Sequence, residues 1–148
     1  MAKIIYPLQK DTIVEEDHRA LAKWITGDHN ILPRLTMGPL VKKFEEEWSR
    51  WLGVKYSIAC NSGSSANLLM YYALLRSGML RNKKIIVPSA AWVTTIAPAI
   101  QLGFEPIMCE ADPDTFGLDL DHLDQLLKKH RPSTVIMVQV LGVPNKMA

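Results

Sequence analysis

Residues 61–67, with the sequence Asn-Ser-Gly-Ser-Ser-Ala-Asn, join a predicted strand to a predicted helix and carry mostly small and hydroxyl side chains. A helix N-terminus presents backbone N–H groups that lack intrahelical partners, together with the positive end of the helix dipole. Gly63 permits close approach of the backbone, and the hydroxyls of Ser64 and Ser65 add donors, so this turn could hold a phosphate monoester. Ser62 or Ser64 could equally act only as the helix cap, and the local chemistry leaves both roles open.

Trp92 lies in a second segment of chemical interest, residues 90–95, which follows the predicted strand at 84–88. In open α/β sheets, ligands bind beyond the carboxyl ends of the strands, where Trp92 is expected. Its indole could stack on a planar cofactor ring, which contributes roughly 0.5–1.5 kcal/mol beyond the burial of area. Packing beneath a loop is the more common role of such a tryptophan.

Thr36 and Gly38 belong to a third segment, residues 35–39, which precedes another predicted helix. Thr36 is either the cap of that helix or a substrate contact. The four histidines show no spacing typical of a metal site or a catalytic dyad, and the acidic residues form no recognisable carboxylate pair. Asp112, Asp114 and Asp119 have the context of turn and capping residues.

The elements that must position these residues follow an α/β pattern from residue 55 onward. We predict helices at about 13–26, from Pro39 to before Gly53, and at 64–76, 91–102 and 119–130, and strands at 55–60, 84–88, 105–110 and 133–140. Strands that alternate with helices predict a mostly parallel sheet. The last strand is nearly all apolar and no helix follows to cover it, so we expect the sequence to come from a longer protein or to have a covering partner.

The length and charge of the chain favour a single domain and give no indication of a nucleic-acid or membrane partner. The chain has 148 residues, which fits one domain, and its net charge of +2 is too small to indicate nucleic acid or a membrane as partner. The start of the chain lacks the apolar core of a signal peptide, and a cytoplasmic location is expected. Both cysteines, Cys60 and Cys109, end apolar runs, so we expect buried free thiols.

Several segments together resemble the DegT/StrS family of sugar aminotransferases, from about Tyr6 to the end of the chain. The segments are Thr36-Met37-Gly38 before a helix with Phe44-Glu45, and residues 52–56, 61–68, 85–88, 103–106 and 141–144. Each is weak alone, but they occur in the order and at the spacing of that family.

The resemblance implies the N-terminal half of the large domain of a fold-type-I PLP-dependent transferase, with a mostly parallel sheet and flanking helices. Residues 1–34 would form an arm, helix and loop, and residues 35–148 the partial large domain. The cofactor would be pyridoxal 5'-phosphate (PLP) or pyridoxamine 5'-phosphate (PMP). Gly63, Ser64 and, less closely, Ser65 match the positions that hold its phosphate, and Trp92 matches the aromatic residue that stacks on its ring. Thr36 and Gly38 are expected to contact substrate.

By the same resemblance, the complete enzyme would be a homodimer that aminates a nucleotide-linked keto-sugar with glutamate or glutamine. A related branch, the PMP-dependent 3-dehydratases of nucleotide-linked 4-keto-6-deoxy sugars, is the first alternative, and a non-catalytic binding or assembly module is the second. The family's acidic partner of the pyridine nitrogen and its Schiff-base lysine lie beyond residue 148. We therefore predict no catalytic residue in this chain and no transaminase activity from it alone.

Overall fold

The computed structural model describes residues 10–27, 34 and 36–146. The chain divides into two compact units, with the boundary between Ala59 and Cys60. The predicted division after residue 34 stays a prediction. Most of the predicted N-terminal arm and of the loop at 28–35 lies outside the described residues.

The first unit contains two helices, α1 (Glu15–Thr26) and α2 (Pro39–Leu52). Helix α1 begins two residues later than predicted, because the carboxylate of Asp17 accepts a hydrogen bond from the N–H of Val14 at 3.0 Å. This bond closes the first turn at Val14, as acidic residues do in a capping box. Helix α2 has the predicted bounds, since Pro39 needs no N–H donor at its position and Gly53 ends the helix with a φ of 76°.

The second unit is an α/β fold with a three-stranded parallel sheet. Its elements are α3 (Gly63–Arg76), β1 (Lys84–Pro88), α4 (Val93–Gln101), β2 (Glu105–Cys109), α5 (Leu120–His130) and β3 (Thr134–Val135). The strand order is β2-β1-β3, and both pairings are parallel. The predicted parallel α/β arrangement is therefore confirmed.

Strand β1 is the centre of the sheet, and helices cover both of its faces. Ile85 and Val87 pack on one side, where α3 and α4 contribute Tyr71 and Ala99. Ile86 packs on the other side in a cluster that α5 joins. Complete burial of each such aliphatic side chain contributes about 1.5–3 kcal/mol, so the continuous apolar run of β1 fixes its central position.

Two predicted strands differ from the structure. The prediction of a strand at 55–60 is wrong: no strand pairs with this segment among the described residues, and the N–H of Ala59 donates instead to Glu45 Oε1 at 2.8 Å. The strand predicted at 133–140 is reduced to Thr134–Val135, because only Ile85 and Ile86 lie opposite it. Beyond that ladder the chain forms a 3₁₀ turn at Val140–Gly142.

Of the two cysteines, Cys109 is buried as predicted, whereas the prediction for Cys60 is wrong because its side chain is exposed. The reason is that residues 55–60 are not part of the sheet, so no neighbouring strand covers them.

Candidate functional site

The N-terminus of α3 contains two backbone N–H groups that are free to bind a ligand. Ser62 caps the helix: its Oγ accepts from the N–H of Ser65 at 3.2 Å and its carbonyl from Ala66 at 3.0 Å. Within the described part of the chain, the N–H groups of Gly63 and Ser64 form no hydrogen bond. A Cβ placed on Gly63 would meet no atom within 4 Å. The turn therefore presents two aligned donors to open space at the positive end of a helix.

Helix α4 is hydrogen-bonded to this turn. Ser64 Oγ lies 3.1 Å from Thr94 Oγ1, and Asn67 Nδ2 donates to the carbonyl of Thr94 at 3.1 Å. That carbonyl is available because Pro98, four residues later, has no N–H to offer it. One turn deeper, the buried hydroxyl of Tyr71 donates to the carbonyl of Thr95 at 2.6 Å, and burial raises its pKa. The proline thus frees an acceptor through which α3 holds the start of α4.

A groove of about 230 Å³ lies between these two helices. Ser64, Ser65 and Thr94 supply hydroxyl groups to it, and Gln101 supplies a carboxamide. Since the N–H of Ser65 is used by the cap, only its hydroxyl remains for a ligand. The main-chain donors of the turn are therefore those of Gly63 and Ser64.

Trp92 is the residue that precedes α4, and its side chain is 74% exposed. It lines a cleft of about 420 Å³ beyond the carboxyl end of β1. The lining residues of this cleft are Ala90, Ala91, Trp92, Phe116, Val138, Gln139, Val140 and Leu141. Seven of these eight side chains are apolar, so the cleft suits a flat, largely apolar group beside the indole. We name it the Trp92 cleft.

The α3 turn and the start of α4 are joined by a hydrogen bond, although the groove and the Trp92 cleft share no lining residue. The bond from Ser64 to Thr94 places the α3 turn beside a residue only two positions after Trp92. Asn67 and Thr94 lie in the predicted segments 61–67 and 90–95 but had no predicted role, and Phe116 and residues 138–141 were not predicted at all. Pro98 was a usable signal for Thr94, because a helical proline frees the carbonyl four residues earlier.

Thr36 and Gly38 belong to the first unit, unlike Gly63, Ser64, Ser65 and Trp92. Gly38 is the N-cap of α2 and is buried, and a Cβ there would lie 3.0 Å from the carbonyl oxygen of Arg34. Its lack of a side chain therefore serves close packing. Thr36 is exposed and does not cap α2, and its substrate contact stays a prediction.

An acidic turn at residues 112–118 lies beside the Trp92 cleft, to which it contributes Phe116. Lys146 Nζ lies 2.6 Å from Asp112 Oδ2, and this ammonium group lowers the pKa of Asp112 from 3.8 to about 2. The other Asp112 oxygen accepts from the N–H groups of Asp114 and Thr115. These bonds hold the turn together, in agreement with the turn role predicted for Asp112.

No group of three His, Cys, Asp or Glu side chains that could hold a metal ion occurs among the described residues. None of the helices within the described ranges has the length and apolar composition needed to cross a bilayer.

Comparison with models of known protein families identifies the family to which this chain belongs. The model of the DegT/DnrJ/EryC1/StrS aminotransferase family matches residues 13–148. The chain belongs to this family. The fold agrees: a solved structure of GDP-4-keto-6-deoxymannose-3-dehydratase with a trapped PLP–glutamate geminal diamine matches with a TM-score of 0.73 and 31% identity, over 95% of this chain and 36% of that one. The predicted fold class, the N-terminal half of the large domain of a PLP-dependent transferase, is confirmed.

Two curated relatives are similar over most of this chain. GDP-4-keto-6-deoxy-D-mannose 3-dehydratase of Yersinia pseudotuberculosis is 35% identical over 150 residues, which cover 98% of this chain and 37% of the relative. GDP-perosamine synthase of Caulobacter vibrioides is 30% identical over 107 residues, which cover 72% of this chain and 28% of the relative. The chain thus spans about a third of the length of the curated relatives it matches.

Proposed function

We propose that the α3 turn and the Trp92 cleft hold the phosphate and the ring of pyridoxal or pyridoxamine 5'-phosphate. The observation that carries this proposal is the pair of free N–H groups at Gly63 and Ser64. The Ser64–Thr94 bond ties this turn to α4, the helix that begins directly after Trp92. A phosphate monoester attached to a flat ring needs both features together.

The α3 turn offers hydrogen-bond donors to a phosphate group, and the Trp92 cleft offers an apolar lining to a ring. The open space in front of Gly63 lets phosphate oxygens reach the two N–H groups. The hydroxyl group of Ser65 adds a donor, whereas that of Ser64 donates to Thr94 Oγ1. The helix dipole contributes only about 0.3–1 kcal/mol at such an exposed site, so the hydrogen bonds supply most of the affinity. The indole of Trp92, which is largely exposed, offers a face to the ring.

We further propose that the chain is the N-terminal third of an enzyme that acts on a nucleotide-linked keto-sugar. The cofactor, when bound, supplies an electron sink for bond breaking next to the carbon that it holds. The favoured reaction is removal of the 3-hydroxyl from a GDP-linked 4-keto-6-deoxy sugar, because the 3-dehydratase is similar over 98% of this chain. Glutamate or glutamine as amino donor, a homodimer and a cytoplasmic location complete the proposal.

Amination of the same class of sugar is the second candidate. The family description and the 30% identity to GDP-perosamine synthase, which makes an amino sugar, support it. The two reactions differ in product mass. The complete polypeptide, loaded with PMP and given GDP-4-keto-6-deoxymannose, would release a 3-deoxy product in the first case. In the second, with glutamate supplied, it would release a sugar that has exchanged its keto oxygen for an amino group.

Binding of PMP to the 148-residue chain tests the cofactor site directly. PMP lacks the aldehyde, so it does not react with surface lysines as PLP does. We expect PMP to bind more tightly than either pyridoxamine or inorganic phosphate. Trp92→Ala should weaken PMP about two- to tenfold and leave phosphate binding unchanged.

Trp51→Ala is the matched control, because Trp51 is also 74% exposed but belongs to the first unit. Equal loss of PMP affinity in the two variants would contradict the proposed role of Trp92. Absence of PMP binding at millimolar concentration would contradict the cofactor site itself.

A further inference from the structure

Asn145 and Lys146 form hydrogen bonds back to the 112–118 turn, and we name this pair the C-terminal clip. Asn145 is only 5% exposed. Its Oδ1 accepts from the N–H of Leu118 at 2.9 Å, and its Nδ2 donates to the carbonyl of Val138 at 3.0 Å. Lys146 pairs with Asp112 at 2.6 Å and with Asp114 at 3.2 Å. The clip therefore joins two segments that are far apart in sequence.

Both segments that the clip joins contribute lining residues to the Trp92 cleft. The turn contributes Phe116, which has a φ of 57°, and the segment after β3 contributes residues 138–141. Leu141 in this segment has a φ of 54° although it is 91% exposed, so contacts of its own side chain do not account for that backbone conformation. A non-glycine residue with positive φ is held there by its surroundings. The bonds of Asn145 to Leu118 and Val138 supply such a constraint on both cleft walls.

Gly117 shows how closely the clip fits. A Cβ on Gly117 would overlap the carboxamide of Asn145. The φ of Gly117 itself is not positive, so any residue could adopt this backbone conformation. Contact with Asn145, and not backbone conformation, therefore requires glycine here. The carboxamide of Asn145 therefore packs directly against Gly117 in the turn.

We propose that the clip positions Phe116 and the 138–141 segment around Trp92, and so sets the affinity of the cleft for the cofactor ring. The inference rests on the proposed cofactor site and adds Asn145 as its positioning residue. Asn145 does not line the cleft; it acts through the two walls that it joins. A cleft whose walls are loose has its binding-competent form populated only in part, and the apparent affinity falls by that fraction.

The test compares Asn145→Ala with Asn82→Ala in the 148-residue chain. Asn82 is a matched control at the amino end of β1, where its Nδ2 donates to the carbonyl of Arg131 at 2.9 Å and its Oδ1 accepts from the N–H of Lys84 at 2.9 Å. Each substitution removes a carboxamide with two main-chain bonds, and the Asn82 carboxamide also accepts from Ser133 Oγ at 3.2 Å, so both variants should lose stability. Asn145→Ala should weaken PMP about tenfold and leave inorganic phosphate unchanged, whereas Asn82→Ala should alter neither.

Hydrogen exchange supplies the structural readout, because the clip should protect the N–H of Leu118 and the 138–143 amides. Faster exchange at these sites in Asn145→Ala, with unchanged exchange in α3, is the expected result. If both variants bind PMP as the unsubstituted chain does, or if PMP and phosphate weaken together, the positioning role is overturned and the cofactor site stands. If the unsubstituted chain does not bind PMP, the proposed function is overturned and the positioning role with it.

Discussion

The carboxamide of Asn67 donates a hydrogen bond of 3.1 Å to the carbonyl oxygen of Thr94. A residue of α3 thereby takes the place of a donor that α4 lacks at Pro98. Without Asn67, the Thr94 carbonyl would have no hydrogen-bond partner, and this carbonyl lies near the candidate cofactor site.

The first prediction concerns Asn67 as the hydrogen-bond donor that replaces the missing N–H of Pro98. Asn67→Ala leaves the Thr94 carbonyl unpaired in a partly buried place and should destabilise the fold by about 1–3 kcal/mol. Pro98→Ala restores an N–H four residues after Thr94, so Asn67→Ala should cost less in that background. Urea unfolding of the two single variants and the double variant gives the coupling energy. Strictly additive costs would contradict the link between the two residues.

Gly63→Ala should weaken ligand binding without lowering the stability of the fold. Because a Cβ at this position meets no atom within 4 Å and the φ is not positive, the change should leave stability unaltered or raise it by about 0.4–1 kcal/mol. The same methyl group enters the space in front of the free N–H groups. We expect PMP and inorganic phosphate to weaken together, by about tenfold or more. A variant that is stable and still binds phosphate normally would place the anion elsewhere.

Much of the fold was predictable because local and tertiary signals agree. The bounds of β1 follow from an apolar run between Lys84 and Pro88, and those of α2 from Pro39 and Gly53. The strand proposed at 55–60 failed because a short apolar run does not reveal whether a neighbour exists to pair with it.

The candidate site was predictable only in its local part. The α3 turn is one continuous segment, so Gly63 and Ser64 could be read from their types and spacing. The walls of the Trp92 cleft could not, because Phe116 and Leu141 reach it through the clip at Asn145, which joins residues 27 positions apart. No local pattern encodes such a contact.

The Asp112–Lys146 pair predicts a specific acid response. Asp112 has its pKa lowered from 3.8 to about 2, so its contribution to stability is complete above about pH 4 and is lost as the pH falls toward 2. The pKa of Lys146 is raised by Asp112 and Asp114, so the pair persists on the alkaline side until the pH exceeds the ordinary lysine value of 10.5.

Urea midpoints measured against pH for the unsubstituted chain and Asp112→Asn test this response. The difference between them should be constant near neutral pH and shrink below about pH 4. Asp114→Asn is the control, because Asp114 is 79% exposed and an exposed pair contributes little. A difference that persists unchanged at pH 2 would contradict the assigned ion pair.

The two cysteines should differ in their reaction with iodoacetamide. Cys60 is exposed, whereas Cys109, the last residue of β2, is buried in a cluster with Leu126 of α5. The pKa of Cys109 is raised by burial and by the nearby carboxylates of Asp119 and Glu110. Since only the thiolate reacts, the native chain should gain one adduct, at Cys60, and the urea-unfolded chain two. Peptide mass spectrometry locates the adducts. Modification of Cys109 in the native chain at the rate found for Cys60 would contradict its place in the core beside Ile86 and Leu126.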